Sequence, residues 1–127
     1  DARMAIFKPG KNPNEYWDCQ IIDNDFYAPH SLILTDINKN GLIDIVVGEM
    51  KAGGWEFEKN PEPKIRVYYN KGNLNFEREV LINDLAIHEM KLVKDKKESR
   101  LLFYGADEIQ EHKFEGMNTD ILYWTVD

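Results

Sequence analysis

The stretch SLILTDINKNGLIDIVVG, from Ser31 to Gly48, decides how the chain folds. Its two ends, SLILT and IDIVVG, are short, apolar and rich in β-branched residues, which is typical of strands. The segment between them, DINKNGLID from Asp36 to Asp44, is polar and contains the turn dipeptide Asn-Gly. We therefore expect two β-strands joined by a polar loop.

The loop has oxygen atoms at alternate positions, which lets a short segment direct several ligands to one hard cation. The predicted calcium ligands are Asp36, Asn38, Asn40, the backbone carbonyl of Leu42, and Asp44. Gly41 stands where the chain must turn sharply and where a Cβ is expected to clash. Ile43 is apolar, and we expect it to anchor the loop in the core. The loop is thus predicted to bind Ca²⁺.

The setting of this loop differs from that of an EF-hand. The twelfth position is Val47, which cannot supply a bidentate carboxylate, and both flanks are strands. Because Asn replaces Asp at two positions, we predict weak binding, with a dissociation constant of about 10⁻⁴–10⁻³ M. Calcium would then be bound outside a cell, which predicts an extracellular, cell-surface or periplasmic protein. The alternative is an Asn- and Gly-rich turn that holds no metal.

The rest of the chain has the same strand character. Period-two and continuous apolar runs recur along it, separated by turn dipeptides such as Pro-Gly, Gly-Gly and Lys-Gly. Helical periodicity is hard to find. The sequence therefore predicts an all-β fold.

The strands fall into a repeating unit. HSLILTDINKNGLIDIVVG, from His30, corresponds to HEMKLVKDKKESRLLFYG, from His88. KIRVYYNKGNLNFEREVLI, from Lys64, corresponds to ARMAIFKPGKNPNEYWDCQII near the N-terminus. One unit then holds four antiparallel strands, which is the composition of a β-propeller blade. The predicted divisions are 1–29, the end of one blade; 30–87, a complete blade with the calcium loop; and 88–127, a degenerate, incomplete blade.

Closing a propeller needs at least about four blades, so the chain is predicted to be an incomplete fragment of about two. Open sheet edges are an aggregation hazard. We therefore expect the remaining blades to come from the same protein or from a partner chain. The second unit has lost the ligands, because Lys96 and Lys97 lie where oxygens would be needed. Calcium is expected in one unit only.

Two segments match a family pattern: HSLILTDINKNGLIDIVVGEM, from His30, and RVYYNKGNLNFE, from Arg66. Together they resemble the FG-GAP/VCBS repeat family of calcium-binding β-propeller proteins. The first matches the DxDxDGxxD loop of the family, with Asn at two usual Asp positions. In the second, Asn70, Gly72 and Phe76 match. The resemblance implies a propeller that is usually extracellular or on the cell surface, but not one function, since relatives include lectins, adhesion modules and sugar-cleaving enzymes.

Charge and hydropathy limit the partners. The net charge is −7, whereas nucleic-acid binding depends on Lys and Arg, so no nucleic-acid partner is expected. No apolar run approaches the roughly 20 residues that span a bilayer, so no membrane insertion is expected. The single Cys19 cannot form an internal disulfide, and we expect it to be buried beside Trp17.

Three further residues are candidates for contact with a ligand. His30 and His88 open the first strand of their units, where they would lie near a propeller axis and could act as an acid or base. The alternative is a packing residue repeated with the blade. Trp55 lies in the long polar segment Glu49–Glu62. Long loops over a rigid sheet are common binding sites, and aromatic faces suit carbohydrate.

Three functions are compatible with these features. The favoured one is a calcium-stabilised propeller module that binds a carbohydrate or protein ligand. The second is the propeller of a polysaccharide lyase or glycoside hydrolase, for which Glu49, Glu56 and Glu58 are available carboxylates. The third is a purely structural repeat. The sequence favours a non-enzymatic role without deciding the question.

Overall fold

Nine β-strands make up the secondary structure of the computed structural model, which describes residues 2–51, 62–95, 100–107 and 121–126. In chain order they are β1 (Ala2–Lys8), β2 (Asp18–Phe26), β3 (Pro29–Thr35), β4 (Asp44–Glu49), β5 (Lys64–Asn70), β6 (Phe76–Asn83), β7 (Ile87–Asp95), β8 (Arg100–Asp107) and β9 (Ile121–Val126). These residues contain no helix, so the all-β prediction is confirmed. Accordingly, no helix long and apolar enough to cross a membrane is found in the described ranges.

The strands form three antiparallel sheets. Sheet A contains β1 and β2, sheet B has the order β3-β4-β5-β6, and sheet C has the order β7-β8-β9. Each strand pairs with the next one in sequence within its sheet, and none of the three sheets closes on itself. β3 begins at Pro29 and β7 at Ile87, each just ahead of a predicted unit boundary. The arrangement of such sheets in a propeller stays a prediction.

Sheet B is covered on both faces. Side chains alternate between the faces of a strand, so neighbouring residues of β4 join different clusters. Val46 packs with Ile87 and Phe103 of sheet C, whereas Val47 packs with Met4 of sheet A. All of β4 is buried, which explains its continuous apolar sequence. The buried cluster members are Ile37, Val46, Ile65, Val67, Ile87, Met90, Leu101 and Phe103 on the side of sheet C, and Met4, Ile45, Val47 and Tyr68 on the side of sheet A.

Polar contacts also hold sheet A on sheet B. The hydroxyl of Tyr68 in β5 donates a hydrogen bond of 2.7 Å to Oδ2 of Asp23 in β2. Arg78 in β6 donates to the same oxygen at 3.1 Å and to Oδ2 of Asp25 at 3.0 Å. Strand β2 therefore lies over β5 and β6.

The prediction that Cys19 is buried beside Trp17 is wrong. Cys19 is exposed, and Trp17 is 48% exposed. Cys19 pairs with Phe7 of β1, which is 58% exposed. These residues lie on the outer side of sheet A, which no other described strand covers. Burial of Cys19 would require a further layer on that face.

Candidate functional site

The predicted calcium loop begins directly after β3 and ends at the first residue of β4, and its own side chains fold it. Asp36 accepts the backbone N–H of Asn40 on Oδ1 at 3.0 Å and that of Gly41 on Oδ2 at 2.9 Å. Oδ1 of Asn40 accepts the N–H of Leu42 at 2.8 Å, and Oδ1 of Asn38 accepts that of Asn40 at 3.2 Å. Short polar side chains commonly bond to backbone groups in this way within turns.

Two residues of the loop have a left-handed backbone. The φ angle is +59° at Lys39 and +85° at Gly41. A Cβ at Gly41 would meet nothing within 4 Å, so the predicted clash is wrong. The glycine is favoured there by its backbone angle, which L-residues adopt only with strain.

Asp44 attaches the loop to sheet B. Its carboxylate is fully buried, with Oδ2 accepting the N–H of Ile37 at 2.9 Å and Oδ1 accepting that of Asn70 at 2.8 Å. The side chain of Asn70 donates to the carbonyl of Ile43 at 3.2 Å, and that of Asn40 donates to the carbonyl of Asn70 at 3.3 Å. The loop is therefore bonded to the end of β5. No pattern in the sequence predicted this role for Asn70, although the residue lies in the second family segment.

Ile43 does not anchor the loop, contrary to the prediction, because it is 53% exposed. Ile37 has that role. It is 6% exposed and belongs to the cluster between sheets B and C. The hydrogen bond from its N–H to Asp44 holds it at the base of the loop.

The loop has the donor types that a hard cation prefers. They are two carboxylates, two side-chain amides and a carbonyl, all oxygen donors. A carboxylate oxygen has two lone pairs and can accept an N–H while also binding a cation. Within the described ranges, no group of three or more His, Cys, Asp or Glu side chains is placed to hold a metal. The hydrogen bonds alone give the loop a defined shape, so the metal-free turn remains the alternative.

The two predicted histidines are brought together. The ring centroids of His30 and His88 lie 4.3 Å apart, and Nδ1 of His30 lies 2.7 Å from the backbone oxygen of His88. Since a carbonyl only accepts, Nδ1 of His30 bears the hydrogen, and in the neutral ring Nε2 is left as an acceptor. Next along the chain from His30, Oγ of Ser31 accepts the N–H of Met90 at 2.8 Å. The pair thus lies where β3 meets β7.

A polar depression of about 470 Å³ lies beside these histidines. Glu89 and Lys91 line it as well and form an exposed ion pair with each other. The hydrogen bond from Lys91 and its charge hold the pKa of Glu89 below its ordinary value. The depression therefore offers hydrogen-bond donors, acceptors and an exposed ring surface.

Glu49 is part of the structure of the sheet A–B interface. It is 1% exposed, and its oxygens accept the N–H groups of Tyr27 and Lys64, both at 3.0 Å. Nη1 of Arg66 lies 2.9 Å from Oε1, as an ion pair without hydrogen-bond geometry. The guanidinium also lies over the ring of Phe26, 5.0 Å from its centre. Glu49 is therefore not available as a hydrolytic carboxylate.

The remaining predicted ligand-contacting or hydrolytic residues lie outside the described residues: Trp55, Glu56 and Glu58.

No protein-family model, curated protein or solved structure gives a significant match to the chain. Membership of the FG-GAP/VCBS repeat family therefore stays a prediction, supported by the residues of the two quoted segments.

Proposed function

We propose that the chain is a calcium-stabilised β-propeller repeat module of an extracellular, cell-surface or periplasmic protein and binds a carbohydrate or protein ligand. The observation that carries the proposal is the loop Asp36–Asp44. Its four polar side chains are held within one turn, and its last carboxylate is bonded to the end of β5.

Calcium in this loop would act on stability. The loop contains two carboxylates, Asp36 and Asp44, and a cation bound by both would join the two ends of the loop. Because Asp44 also bonds to Asn70, an ordered loop would fix the end of β5 relative to β4. The ion would therefore support the fold of sheet B and take no part in chemistry.

The packing of the sheets supports the propeller part of the proposal. Sheet C lies against one face of sheet B and sheet A against the other. The repeat-related residues His30 and His88 are neighbours, at the start of β3 and of β7. A rotation that carries one blade to the next about a central axis would place equivalent inner residues side by side in this way.

We place the ligand contact in the depression beside His30 and His88. Sugar hydroxyls both donate and accept hydrogen bonds, and the depression offers partners of both kinds. The exposed imidazole of His88 also presents a ring face on which a sugar could lie. Of the three carboxylates named for the lyase or hydrolase alternative, Glu49 lies in the described residues, and its oxygens are engaged by two backbone N–H groups and Arg66.

Isothermal titration with calcium tests the metal part. The chain is expected to bind one ion with a dissociation constant of about 10⁻⁴–10⁻³ M, and magnesium should bind less well because it needs a tighter octahedral site. Asp36→Asn should abolish the heat of binding. Asp18→Asn removes the same charge from an exposed position of β2 and should leave binding unchanged. Absence of calcium binding at millimolar concentration would overturn the proposal.

A glycan array tests the ligand part. Binding of a defined set of glycans by the wild-type chain, and its loss in His88→Ala, would support the site. Binding that His88→Ala leaves unchanged would exclude this depression. Val93→Ala, at another exposed position of β7, is the matched control.

A further inference from the structure

Two large apolar side chains of β3 are exposed on a face of sheet B that is otherwise packed. Leu32 is 55% exposed and Leu34 is 59% exposed. They pair across the sheet with Val47 and Ile45, which are buried under sheet A. We call these two residues the Leu32–Leu34 patch. The patch is thus the uncovered margin of a buried sheet face.

The patch is uncovered because sheet A has only two described strands. Its strand β2 lies over β5 and β6, to which Asp23 is hydrogen-bonded. Met4 of β1 packs against β4. Beyond β1, a cavity of about 290 Å³ opens between the two sheets, lined by Met4, Ala5, Leu32 and Val47 among others. Among the described strands, β1 pairs with β2 alone, which leaves its other edge without a described partner. A free strand edge and an apolar patch therefore border the same cavity.

The opposite face of sheet B shows what kind of element fits over β3. There, β7 covers it, with the N–H of Met90 bonded to Ser31 and the Met90 Cε close above Gly48, 3.2 Å from the position of a Cβ. β7 is itself paired to β8, as β3 is to β4. On the side of sheet C, a hairpin of two strands therefore covers the β3 edge of sheet B.

The repeat in the sequence indicates which strands would cover β3 on the side of sheet A. β1 and β2 correspond to β5 and β6, so the strands that would complete sheet A correspond to β3 and β4. In sheet B, β4 pairs antiparallel with β5. Its equivalent would pair with the free edge of β1, and the equivalent of β3 would lie over the patch.

We propose that the Leu32–Leu34 patch and the free edge of β1 together bind a β-hairpin from a further repeat unit, equivalent to β3–β4. The second strand of that hairpin adds to β1 by backbone hydrogen bonds. Its first strand buries Leu32 and Leu34 under apolar side chains at alternate positions. The inference rests on the repeat arrangement of the proposed function but does not depend on calcium.

A fusion protein tests this directly. A second copy of residues 29–49 is joined ahead of Ala2 through a flexible linker, and a fusion with the same residues in scrambled order is the control. All measurements are made in a chelator, so that calcium binding has no influence. We expect the true fusion to melt several degrees higher than the scrambled one. We also expect amide exchange along β1 to slow by about tenfold or more.

A charged residue in the patch gives a second readout. Leu34→Asp should cancel the gain in melting temperature of the true fusion and barely change the protein without the added hairpin. Val93→Asp, on β7 and 48% exposed, should leave the gain intact. Equal melting temperatures and equal exchange for the true and scrambled fusions would overturn the proposal. Failure of calcium titration would leave this result untouched, so the two proposals fail separately.

Discussion

The backbone N–H of Asn70 donates a 2.8 Å hydrogen bond to the buried carboxylate of Asp44, joining two segments that are far apart in sequence. Asp44 is the last residue of the predicted calcium loop and the first of β4. Through this bond the loop is fixed to the end of β5. Any order that an ion imposes on the loop would therefore reach sheet B.

Removal of the Asp44 charge should destabilise the protein even without calcium. In Asp44→Asn, one backbone N–H of Ile37 or Asn70 would face an amide NH₂ and lose its acceptor. Hydrogen bonds to charged groups contribute about 1.5–3 kcal/mol each, so we expect a loss of about 3 kcal/mol in the free energy of unfolding. Urea denaturation in a chelator measures it. Asp84→Asn makes the same change at an exposed turn residue, where the loss should be small. Equal losses in the two variants would contradict the role of Asp44.

Acid should weaken the contact between sheets A and B through Asp23. Burial raises the pKa of this carboxyl, but hydrogen bonds from the N–H of Asp25, from Tyr68 and from Arg78 outweigh burial and hold the pKa below its ordinary value. A lowered pKa in the folded state stabilises the fold above the unfolded pKa of about 3.9, and that stabilisation is lost as pH falls through the folded pKa. Urea midpoints at neutral pH and at about pH 3 should therefore differ more for the wild type than for Asp23→Asn. The same pH dependence in both proteins would exclude Asp23 as its source.

Gly105 should not tolerate a methyl group. A Cβ there would lie 2.5 Å from Cδ1 and 3.3 Å from Cγ2 of Ile87, which is fully buried. Overpacking of this kind costs about 1–3 kcal/mol, and we expect Gly105→Ala to fall in that range. Ile87→Val removes the nearest atom, so the double variant should lose less stability than the sum of the two single variants. Gly10→Ala is the control, since a Cβ there meets nothing within 4 Å. Additive losses would show that the close approach does not govern this position.

Loss of the His30 side chain should destabilise the protein more than loss of the His88 side chain. His30 supplies both a ring and the Nδ1–H donor, whereas His88 supplies a ring and a backbone oxygen that remains after truncation. His30→Ala should therefore cost about 1 kcal/mol more than His88→Ala, the usual value of one hydrogen bond. Thermal denaturation at a pH where both rings are neutral measures the difference. A larger loss in His88→Ala would show that the hydrogen bond contributes little.

Local patterns predicted the strands well, because the tendency to form a strand depends on the types of consecutive residues. The apolar run IDIVVG predicted a strand, and β4 forms there over Asp44–Glu49 with every residue buried. The apolar run SLILT of β3 did not reveal that Leu32 and Leu34 are exposed, since exposure depends on which strands cover them. The sequence likewise predicts Ile43 as the residue that anchors the loop, whereas Ile37 is the anchor in the structure. The reason is that Ile37 packs against sheet C, and this packing has no local pattern.

Contacts between distant segments had no signal in the sequence. The ion pairs of Arg78 with Asp23 and Asp25 join β6 to β2, and neither segment has a pattern that identifies the other. The same is true of Glu49 and Arg66, which lie in different strands and form a buried pair. The alignment of the repeat did predict that His30 and His88 are equivalent. Their proximity follows from the packing of β3 against β7.

An amide NMR titration of the chain with calcium tests the central claim most directly. We predict shifts concentrated on residues 36–44 and Asn70, saturating in the millimolar range that such weak sites require. The amides of Asn40, Gly41 and Leu42 should move most, because they bond to the oxygens that the ion would bind. The same titration of Asp36→Asn should leave them in place. Unchanged loop amides in the wild-type protein, or equal shifts in the variant, would contradict the calcium loop.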